Sequence, residues 1–105
     1  MSVTKLYRVV VDMNLVAWTT MPKTELDEYE KLVRKATRKC IQTWNNCNNV
    51  TLREIAEFAE EGDARECERD LIGINNKIVV RHAERLKEHE AWVAWTNKRP
   101  RRSRG

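Results

Sequence analysis

Glycine is scarce in this chain, with three residues in 105 at Gly62, Gly73 and Gly105. A glycine-rich phosphate loop therefore has no place to form, and tight backbone cradles for phosphate are not expected. Proline is scarcer still, at Pro22 and Pro100, and phenylalanine occurs once against four tryptophans. No apolar run approaches the length of a membrane span. Residues 1–11 lack the basic, apolar and small-residue order of a signal peptide, which points to the cytoplasm. Cysteine is odd in number, with Cys40, Cys47 and Cys67 irregularly spaced. Unpaired thiols of that kind belong to a reducing compartment and to no disulfide framework.

Catalytic constellations are missing too. There is no G-x-S-x-G elbow and no H-E-x-x-H helix. His82-Ala83-Glu84 matches the first half of a zinc-deaminase signature, but the P-C-x-x-C half is absent. Cys40 and Cys47 are seven residues apart, as are His82 and His89. Seven residues of helix separate side chains by roughly 10.5 Å, too far for ligands of one zinc. The expectation is a protein without metal, cofactor or catalysis, which works by binding.

What is abundant is charge, and it is unevenly placed. The chain carries 20 basic and 16 acidic residues, a formal net charge of +4. Five of the basic ones, Lys98, Arg99, Arg101, Arg102 and Arg104, lie in residues 98–105. Without them, 15 basic residues face 16 acidic ones, so the body is near neutral and the end is a polycation. Composition divides the chain into one globular domain over 1–97 and a flexible basic tail over 98–105.

Periodicity gives an α+β reading: an N-terminal strand or hairpin followed by three to four helices. Tyr7, Val9, Val11 and Met13 alternate with Arg8, Val10 and Asp12, and the β style continues to Thr20. Lys5–Thr20 is thus one long strand or a hairpin turning at Met13-Asn14. Leu26, Tyr29, Val33, Ala36, Cys40 and Trp44 recur at three and four, which predicts a helix from Glu25 to Trp44 capped by Thr24. Asn45–Asn49 reads as a loop. Thr51 with Glu54 suggests a capping box for a helix that Gly62 stops, with Leu52, Ile55, Ala56 and Ala59 buried. A last helical stripe runs from Ala64 through Leu71, Ile74, Ile78 and Leu86 to Thr96, with a break expected near Gly73–Asn76. A strand over Lys77–Arg81 is the lesser alternative. The expected core is Val9, Val11, Val16, Leu26, Tyr29, Val33, Leu52, Ile55, Leu71, Ile74, Ile78 and Leu86.

The charges and aromatics support two binding readings. The first is nucleic acid, through phosphate contacts. Lys31, Arg34, Lys35, Arg38 and Lys39 form a basic stripe on the first helix, although a solvated face would look the same. Trp92 and Trp95 share one side of the last helix and are followed by Lys98, Arg99, Arg101, Arg102 and Arg104. Aromatics beside arginines can stack bases and neutralise phosphates; the alternative is that the rings close the core. The second reading is a protein-binding regulator or inhibitor that uses tryptophans and acidic helices, with Glu54, Glu57, Glu61 and Glu68 facing a basic partner or a second copy. No base-reading helix–turn–helix is expected, because the helix after Gly62 begins with acids.

Overall fold

A computed structural model describes residues 5–98. The fold is α+β: β1 (Tyr7–Asn14), α1 (Leu15–Thr19), α2 (Lys23–Ala36), β2 (Gln42–Cys47), β3 (Thr51–Phe58) and α3 (Glu61–Lys98). The strands form an antiparallel sheet in the order β1-β3-β2, with helices against one face.

The alternation in β1 settles that strand. Val9, Val11 and Met13 are buried while Arg8, Val10, Asp12 and Asn14 are exposed. The inward residues join Ala56 and Phe58 of β3 and the α3 stripe Ala64, Cys67, Leu71, Ile74 and Ile78 in one core. Among the expected core residues, Leu26, Tyr29, Val33 and Leu52 are half-buried, and Val16 and Leu86 are exposed.

Lys5–Thr20 is neither one strand nor a hairpin. The Asn14 Oδ1 accepts from the Ala17 backbone N–H at 2.9 Å, so Asn14 ends β1 and caps the short α1. The first long helix stops at Ala36 rather than Trp44. Thr37 folds its hydroxyl back onto the Val33 carbonyl at 3.0 Å, and Gln42-Thr43-Trp44 pairs with β3.

Thr51–Ala59 is not a helix either: β3 is the central strand. Its apolar residues stand three and four apart because both faces carry them, with Leu52, Ala56 and Phe58 inward and Ile55 outward. The turn before β3 needs no glycine, since the Asn48 Oδ1 accepts from the N–H groups of Val50 and Thr51 at 2.8 and 2.7 Å.

α3 then runs unbroken for 38 residues. Gly62 lies inside its first turn instead of ending a helix, and Gly73 is an ordinary helical residue. Asn75 ties rather than breaks: its Oδ1 accepts from the Asn14 N–H at 3.0 Å. The described residues therefore hold three helices and three strands. None of these helices is long and apolar enough to cross a membrane.

Candidate functional site

α2 lies antiparallel along α3, and ion pairs fix its two ends. Near its start, Glu25 accepts from Arg81 and Arg85, each at 2.9 Å. These guanidinium groups, Arg81 first, hold the Glu25 carboxyl below its ordinary range. Just past its other end, Arg38 and Lys39 stand 3.7 Å from Glu66 and 3.5 Å from Asp63. The basic stripe is therefore divided. Arg38 and Lys39 answer the acidic start of α3, while Lys31, Arg34 and Lys35 are exposed and in no ion pair among the described residues.

Trp92 and Trp95 lie elsewhere. The buried stripe of α3 ends at Ile78, and Arg85 is the last α3 residue held by an ion pair to another element. From Leu86 to Asn97 every residue except Val93 is exposed. The helix thus continues past the body for about four turns, roughly 20 Å. On this projection Trp92 is 60% and Trp95 59% exposed, so neither ring closes the core. The His89 ring stacks on Trp92 with centroids 6.4 Å apart. Lys98 is the last described residue; Arg99, Arg101, Arg102 and Arg104 lie outside the described residues. Asp63, beside Lys39, is 29 residues from Trp92 along one helix, or about 44 Å. The structure does not join the far end of the α2 stripe and the tryptophans into one surface.

The four acidic residues expected to meet a protein partner do not form one face. Glu54 and Glu57 lie on β3 and point to opposite sides of the sheet, whereas Glu61 and Glu68 are exposed on α3. Glu54 faces inward and is 8% exposed. Burial raises its pKa, partly offset by a hydrogen bond with Asn45. It borders a cavity of about 340 Å³ shared with Trp18, Glu30, Val33, Arg34 and Asn45.

Of the three free thiols, Cys47 is exposed and Cys40 half-buried. Cys67 is buried, and that burial, with Cys40 beside it, pushes its pKa up to about 12. A thiol held so high is a poor nucleophile. Among the described residues no group of three metal-ligating side chains converges.

Sequence periodicity missed the outer face of the sheet, because it assigned two of the three strands to helix and loop. Three rows cross it: Arg8–Glu57–Gln42, Val10–Ile55–Trp44 and Asp12–Arg53–Asn46. Arg8 donates to Glu57 at 3.0 Å and lies over the Trp44 ring at 5.5 Å. Gln42 also donates to Glu57, and the two donors, Gln42 first, lower that carboxyl's pKa. Arg53 donates to Asp12 at 2.7 Å. On this face Val10 is exposed and Trp44 half-buried, whereas Ile55 and Glu57 of the central strand are buried between their cross-strand neighbours.

No family model, curated protein or solved structure matches the chain.

Proposed function

We propose that this is a non-enzymatic accessory protein that binds nucleic acid with the projecting end of α3. The observation that carries the reading is the exposure of Trp92 and Trp95 on a helix end that has left the body behind, immediately before an arginine-rich sequence. An exposed indole is a stacking platform for any base, worth about 1–3 kcal/mol per base. The cations beyond it neutralise phosphates, and each neutralised phosphate releases counterions. Lys31, Arg34 and Lys35 supply a separate set of phosphate contacts on α2. In this reading binding is governed by the phosphate backbone and by stacking. The free thiols of Cys40, Cys47 and Cys67 accord with work in a reducing compartment such as the cytoplasm.

The test is fluorescence anisotropy with labelled single- and double-stranded oligonucleotides over a salt series. Affinity should fall steeply with salt, and replacing Arg99, Arg101, Arg102 and Arg104 by Ala should flatten that slope. Trp92→Ala with Trp95→Ala should weaken single-strand binding by about tenfold or more and duplex binding less. Absence of binding to either at low salt removes the reading.

A second reading is favoured by one observation. Val80 and Leu86 are 55% and 49% exposed on the same stretch of α3. An apolar and aromatic helix end also suits a hydrophobic groove on another protein, which would make the chain a regulator docking through α3.

A further inference from the structure

We infer that the outer face of the sheet is the contact surface for a second copy of this chain, packed face to face about a two-fold axis. The argument lies in the order of its rows. Along β1 the outward residues run Arg8, Val10, Asp12; along β3 they run Glu57, Ile55, Arg53; along β2 they run Gln42, Trp44, Asn46. One end row is cation, anion, amide. The other is anion, cation, amide. The row between is wholly apolar.

A two-fold axis lying along the apolar row turns the strands end for end and keeps each strand opposite its own copy. Arg8 then faces the partner's Asp12, Glu57 faces the partner's Arg53, and Gln42 faces the partner's Asn46. Val10, Ile55 and Trp44 each meet themselves in the middle. All four charged contacts are between opposite signs. The other in-plane axis, along the strands, sets Glu57 on Glu57 and Arg53 on Arg53 and is opposed by like charges. An isologous interface requires a self-complementary patch of this kind. The intrachain pairs Arg8–Glu57 and Asp12–Arg53 hold the side chains in place and are not broken; each gains a second partner.

The size of the patch sets the strength. Three strands about 4.8 Å apart, with rows about 6.8 Å apart, give a few hundred Å² per copy, against about 800 Å² in a standard interface. The dimer is therefore a weak one, at the small end of specific interfaces.

Sedimentation from about 10 µM to about 1 mM should show a rising weight-average mass that approaches twice the monomer. The decisive variant is Asp12→Arg with Arg53→Glu. Both side chains are about half exposed, at 51% and 53%, and the intrachain pair survives reversed. This variant sets like charges across the interface, and association should weaken by at least tenfold. Arg8→Glu with Glu57→Arg should do the same. An equimolar mixture of the two variants should associate again, because every facing pair is then opposite in sign. Glu57 is largely covered, at 9% side-chain exposure. If its variant fails to fold by circular dichroism, Val10→Glu replaces it and must also weaken association. A wild-type mass that stays monomeric across the range overturns the inference, as does undiminished association of the Asp12→Arg/Arg53→Glu variant.

Discussion

Glu54 shows what one side chain costs when its surroundings are wrong for its charge. It sits on the inner face of the sheet with an amide as its hydrogen-bond partner and in no ion pair among the described residues, so burial raises its pKa and folding shifts it toward the protonated form. A carboxyl whose folded pKa lies above its unfolded value of 4.5 binds more protons in the native state. Stability is therefore lost as pH rises from 4.5 through the folded value, and the full penalty stands above that value. Glu54→Gln keeps the shape and an acceptor for Asn45 while removing the charge. It should raise the melting temperature at neutral pH. The gain should shrink as pH falls through 4.5 and vanish well below it, where the wild-type side chain is neutral in both states. Calorimetry at several pH values checks this, and a variant less stable than wild type at neutral pH contradicts it. Glu25 is the opposite case: its two guanidinium partners lower its pKa, and its contribution is lost on acidification.

The elements differ in how openly they are written. β1 was legible because its faces differ, core on one side and Arg8, Val10 and Asp12 on the other. β3 was not. As a central strand with apolar residues on both faces, it spaces Leu52, Ile55, Ala56 and Ala59 just as a helix would, and tertiary pairing decides. β2 has only Trp44 as a half-buried residue; its start extended the helical spacing of α2 to Trp44, and its polar remainder from Asn45 read as a loop. The capping residue Asn14 was visible as a turn former, but whether it turns a hairpin or caps a helix depends on how Leu15–Thr19 pack. In α3, the stripe from Ala64 to Ile78 was readable, while Gly73 and Asn75-Asn76 suggested a break that packing overrides. Gly73 has no positive φ, and a Cβ there would meet nothing within 4 Å. Gly73→Ala should therefore stabilise the protein by about 0.5–1 kcal/mol through lower unfolded-state entropy. Urea denaturation with an unchanged slope is the measurement, and destabilisation would contradict it.

At the scale of the whole molecule, the radius of gyration is 19.7 Å, against about 13 Å for a compact chain of this length. Sequence periodicity showed a long apolar stripe with tryptophans at its end but could not show where the neighbouring elements stop, and that boundary decides whether the rings are core or surface. Because Leu86 to Asn97 contribute no fully buried residue, deletion of residues 87–105 should shift the thermal midpoint by no more than about 2–3 °C. The same deletion should abolish nucleic-acid binding and leave self-association through the sheet intact. A large loss of stability would mean that the projection is docked.

The clamp between α2 and α3 has a mechanical consequence. Glu25 grips Arg81 and Arg85 at the place where α3 leaves its support. Beyond that fulcrum the helix is a lever about 20 Å long. A tilt of about 10° at Arg85 carries the tip through about 3.5 Å and the two indoles, about 10 and 15 Å out, through about 2 and 2.6 Å. Aim, and not only attachment, is thus set by a single carboxylate. Loosening that grip would widen the cone the tip sweeps without touching either tryptophan.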